Sequence, residues 1–123
     1  MTHSTDLATA LRAHARGLRC LEAATELLIS HHTWIHRSDF TSFVITAYGL
    51  TDNHELAHID WHTAIAALHS GQLPCSRSES QILLLAASLA AEIPLNLGST
   101  LTGLDNHNTE LITQAITHAT GHR

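Results

Sequence analysis

The chain has 123 residues, enough for one ordinary domain and too few for a second core. Six Arg, no Lys and eleven Asp plus Glu leave a net charge of −5, which disfavours nucleic acid as a partner, while 44% hydrophobic against 14% charged residues excludes a disordered acidic tail. No apolar run reaches the roughly 18 residues of a membrane span, and the opening MTHSTDL lacks a basic n-region and an h-region, so a cytoplasmic protein with no membrane partner is expected.

Leu7, Leu11, His14, Leu18, Leu21, Thr25 and Leu28 recur at spacings of 4, 3, 4, 3, 4 and 3, a 3.5-residue period. The period predicts one long N-terminal helix, capped by Ser4 or Thr5 and running to about Ser30, with Gly17 carried off the seam at a cost of about 1 kcal/mol. The same seam is the predicted interface of a homodimer, the alternative being packing within the chain. His14 and Thr25 are polar at seam positions, where such residues fix register, and His14 is expected to be a buried, satisfied group. Arg12, Arg16 and Arg19 share the opposite face, as a phosphate track or a solvated surface neutralised by Glu22 and Glu26.

Ser38 or Asp39 can cap a short helix to about Ala47, with Phe40, Phe43 and Val44 inward, Gly49 as its break, and Trp34 and Tyr48 bracketing it. Asp60 reads as the N-cap of a helix to about Ser70, with Trp61, Ala64, Ile65 and Leu68 inward and Gly71 as C-cap. After the Leu73-Pro74 turn, Ser76 and Glu79 have the capping-box spacing ahead of QILLLAASLAAEI, apolar nearly all round and therefore a central buried helix. Pro94 ends it. A short helical piece follows from Leu97 to Thr102, stopped by Gly103, and Asp105 or Asn106 caps a last helix to Thr120 with Leu111, Ile112, Ala115, Ile116 and Ala119 inward. No β-branched run alternates long enough to predict a strand. The expected fold is all-α, a single helical domain over residues 1–123 built as a bundle of about six helices.

LPCS at 73–76, Glu79 with QILLLAASLA at 81–90, IPL, LTGLDNHN at 101–108 and HATG near the end resemble a family of small all-α proteins of high-GC Gram-positive (actinobacterial) bacteria. The resemblance covers about half the chain. It implies a helical fold and carries no activity, ligand or site residue with it.

Cys20 and Cys75 are 55 residues apart, outside any CxxC spacing, and are expected as reduced thiols. Cys75 precedes a helix start, where the dipole can favour a thiolate; a buried structural thiol is the simpler reading. His54-Glu55-Leu56-Ala57-His58 matches H-E-x-x-H, in which two imidazoles one helical turn apart bind zinc and the Glu activates a water. In that reading Glu55 is the catalytic base, His54 and His58 are metal ligands, and His62 or Glu79 completes the site. The chemistry requires a helix through the motif, and the Asp60 cap instead predicts a loop at 54–58, while the capping box already employs Glu79. No zinc or other cofactor is therefore favoured. His31, His32 and His36 form a second cluster at a helix end, where the dipole favours imidazolium. A helix-turn-helix over 79–120 has no Lys or Arg to meet phosphates.

These readings favour a non-enzymatic interaction or regulatory protein whose partner is itself or another protein. A small zinc-dependent hydrolase is the first alternative, and a nucleic-acid-associated regulator using Arg12, Arg16 and Arg19 is the second.

Overall fold

A computed structural model describes residues 4–48 and 55–121, the first three of them as backbone only. Chain order is α1 (Ser4–Ala15), α2 (Arg19–His31), a 3₁₀ turn (Trp34–His36), α3 (Ser38–Thr41), β1 (Val44–Tyr48), β2 (Glu55–Ile59), α4 (Trp61–His69), α5 (Arg77–Ala91), α6 (Leu97–Leu101) and α7 (Asn106–Ala119). The described residues are mostly helical, with a small antiparallel hairpin added.

The long first helix is not continuous. Gly17 sits at φ +90, a left-handed conformation closed to an α-helix, and the chain turns there between α1 and α2. Across this elbow the Glu22 carboxylate accepts from the Gly17 N–H at 3.0 Å, and Arg12 reaches Glu26 through two bonds of 2.7 and 3.0 Å. The 3.5-residue spacing survives the break because both helices turn apolar faces to one core. Leu7, Leu11, Thr25 and Leu28 are buried, Leu21 is half-buried, and His14 and Leu18 are exposed.

The predicted helix from Ser38 to Ala47 stops at Thr41, and residues 44–48 form β1 instead. The Phe43 N–H donates to the Phe40 carbonyl at 2.9 Å, closing a turn, and the β-branched and aromatic stretch Val-Ile-Thr-Ala-Tyr continues extended. β1 pairs antiparallel with β2 in the register Val44 to Ile59, Ile45 to His58, Thr46 to Ala57, Ala47 to Leu56 and Tyr48 to Glu55. The segment expected as a loop is therefore a strand at 55–59. Gly49 and His54 lie outside the described residues.

The capping readings hold at three helices and fail at α3, where Arg37 takes the N-cap position with no side-chain cap bond and Ser38 and Asp39 are already helical. Asp60 accepts from the Thr63 N–H at 3.3 Å, Ser76 and Glu79 form the reciprocal capping box, and Asp105 accepts from the Asn108 N–H at 2.7 Å. α5 is the central helix, burying Gln81, Ile82, Leu83, Leu85, Ala86 and Ala87, and it packs against α2, α4, α6 and α7. α2 packs on α5 and α7, whereas α1 lies on β2 and α2. The buried apolar residues form one contiguous cluster that includes Trp34, Phe40, Leu73 and Trp61. Gln81 fixes α6 to α5 by donating to the carbonyls of Thr100 and Thr102 at 2.7 and 2.8 Å. Ile116, assigned by spacing to the inner face of α7, is 52% exposed, so the buried stripe there is narrower than the periodicity suggests.

Candidate functional site

Residues 55–59 are extended, and this changes what the HELAH segment can do. Side chains alternate along a strand, so Glu55, Ala57 and Ile59 share one face while Leu56 and His58 share the other. Glu55 and His58 point to opposite sides of the sheet, and the one-turn imidazole spacing that the zinc reading requires is a helical spacing. His62 is exposed in the first turn of α4, and Glu79 is occupied in the capping box of α5, accepting from the Ser76 N–H at 2.8 Å. Among the described residues no three His, Cys, Asp or Glu side chains are grouped to hold a metal ion.

His58 meets His14 instead. Their rings lie 5.2 Å apart across the contact between β2 and α1. His14 is exposed, not the enclosed seam residue expected, yet partial burial and then the neighbouring His58 hold its pKa below the ordinary 6.5.

The richest polar corner joins the 3₁₀ turn and α3 to the start of α5. The Trp34 ring is fully buried, and its Nε1–H donates to the Glu79 carbonyl at 2.9 Å. The Arg37 guanidinium covers that ring at 4.5 Å and forks onto the Asp39 carboxylate at 2.9 and 2.5 Å. Cys75 lies beside this group, and burial first, then Glu79, push its thiol above the usual range, with Arg37 opposing. An upward shift favours the protonated thiol at neutral pH, so burial outweighs the dipole of α5 and the geometry gives no sign of an activated nucleophile. Cys75 and Cys20 are both free, the first half-buried and the second exposed.

His31, in the last turn of α2, departs from its expected role. Its Nδ1 is buried with no hydrogen-bond partner among the described residues, and burial holds its pKa below 6.5 despite Glu79 and Asp105 nearby. His32 Nδ1 and His36 Nε2 face each other at 3.5 Å. The expected arginine stripe is also divided: Arg12 is paired with Glu26, and the Gly17 elbow separates it from Arg19.

Two features escaped the sequence. The Arg37–Asp39 fork over Trp34 had a local signal in the two-residue spacing of its charges, although nothing marked the ring beneath. The other is an apolar groove of about 570 Å³ lined by Leu27, Leu85, Leu89, Ile93, Leu97 and Ile116, with Ser88 and Glu92 among its polar residues. Spacing placed Ile116 in the core and so concealed it. No family model, curated protein or solved structure matches the chain. No helix among the described residues is long and apolar enough to cross a membrane.

Proposed function

We propose that this chain is a non-enzymatic interaction protein whose partner is a second copy of itself. One observation carries the reading: large apolar side chains remain on the surface outside the core, with Ile45, Tyr48, Leu97, Leu101 and Ile116 all exposed. Burying such side chains is the general driving force for association. Two of the polar groups that could serve catalysis are meanwhile engaged structurally, Glu79 in a cap and Asp39 on Arg37. The leucine seam does not serve as the contact surface in this reading, because Leu7, Leu11 and Leu28 are buried within the chain. Light scattering during size-exclusion chromatography, from about 1 μM to about 1 mM, tests it. The expected mass rises with concentration above the single-chain 13.4 kDa, and a constant 13.4 kDa refutes self-association.

A further inference from the structure

The hairpin is paired on one side only. The Asp60 N–H donates to the Phe43 carbonyl at 2.9 Å, which fixes the phase of the ladder. In an antiparallel pair successive residues alternately face the partner strand and away from it. Ile45 and Ala47 therefore turn their N–H and C=O groups toward β2, and Val44, Thr46 and Tyr48 turn theirs outward. None of the hydrogen bonds among the described residues reaches these outward backbone groups from outside the hairpin. The faces are open too: residues 45–48 are all exposed, Tyr48 at 65%.

Natural edge strands are commonly shielded by Lys, Pro, inward charges or a bulge. Val44–Tyr48 contains no charge and no Pro, and its register with β2 is unbroken. Its composition favours pairing. A two-stranded sheet is marginal in water, whereas further strands stabilise it.

We propose that the free edge of β1 pairs antiparallel with β1 of a second copy, about a two-fold axis at Thr46, to form a four-stranded sheet. The proposal rests on the self-association reading and names its surface. A second copy fits this edge because the strand is complementary to itself. Rotation about Thr46 sets Val44 against Tyr48, Thr46 against Thr46 and Ile45 against Ala47, so that every outward N–H meets an outward C=O. Ile45 then lies beside the small Ala47 of the other copy. Charge favours the same site: in a molecule of net charge −5, an uncharged strand lets two copies meet with no like charges opposed.

The test uses the full chain and two substitutions at the exposed axis residue, Thr46→Lys and Thr46→Glu. Wild type is expected to be a reversible dimer by light scattering. Each variant alone opposes two like charges at the axis, and its dimer should dissociate about fivefold more readily. Mixed in equal amounts, the two place Lys against Glu and should recover a dimer at least as tight as wild type. That recovery also shows both variants to be folded, which circular dichroism checks separately. A wild-type dimer indifferent to both substitutions overturns the β1 edge while leaving self-association intact. Wild type at single-chain mass throughout overturns both.

Discussion

Glu79 meets several demands from one position: its carboxylate closes the capping box, its carbonyl accepts from Trp34, and its charge acts on Cys75 and His31. Trp34→Phe removes one donor and part of a fully buried ring, and should lower stability by about 1 to 2 kcal/mol, measured by urea denaturation. His14 bears on acid stability. Because its folded pKa lies below 6.5, the unfolded chain binds the proton more readily, so folding is penalised as pH falls below about 6.5 and unaffected well above it. His31 acts in the same sense. Glu22 is a depressed carboxylate, held down first by His118 and then by the Gly17 N–H. Its contribution is present above the ordinary carboxylate value of 4.5 and is lost as pH falls through the lower folded value. The urea midpoint should accordingly decline between pH 7 and 5 and again below 4.5. By NMR, His58→Ala should raise the His14 titration midpoint only part of the way to 6.5, since burial is the larger cause. No change in that midpoint would remove His58 from the account.

At the scale of elements, the sign of one substitution separates the expected first helix from the observed one. In a continuous helix Gly17→Ala gains about 1 kcal/mol; at φ +90 the added Cβ, although it meets no atom within 4 Å, should instead cost about 1 kcal/mol. Glu92 gives the converse. It ends α5 at φ 56, a conformation that favours glycine, so Glu92→Gly should stabilise by about 0.5 to 1 kcal/mol. Removal of a cap is the third case: Ser76→Ala should lose about 1 kcal/mol. The helix starts at Asp60, Ser76 and Asp105 were legible because a cap is a bond spanning three residues, written wholly in local sequence. The elbow was not, since apolar spacing records which side faces a core and is silent on whether the backbone between two turns is continuous. The hairpin was hidden for another reason. β1 is exposed along nearly its whole length, so no apolar alternation betrays it, and its partner carries a motif whose spacing suits a helix. The candidate site was legible only in parts: Glu79 was read correctly as a cap, whereas His58, placed in a metal motif by spacing, stands against His14 through a contact made in three dimensions.

For the whole molecule, charge and topology set the behaviour. Protonating all twelve His with the carboxylates ionised would carry the net charge from −5 through zero to about +7, and the sequence pI of 6.1 marks where solubility should be lowest. The Gly17 elbow has a further consequence, for the order in which the molecule comes apart. By turning the chain, it places α1 with the hairpin on one flank, while α2, α5 and α7 pack on one another without it. The Arg12–Glu26 pair across the elbow is exposed and so adds little. That flank can open as one cooperative unit, below the free energy of global unfolding, with the three-helix layer still closed. In native-state hydrogen exchange the amides of Leu11 and His58, the latter turned toward Ile45 in the ladder, should therefore lose protection together and ahead of those of Leu28, Leu83 and Ile112. Equal protection in both sets would make the molecule a single foldon.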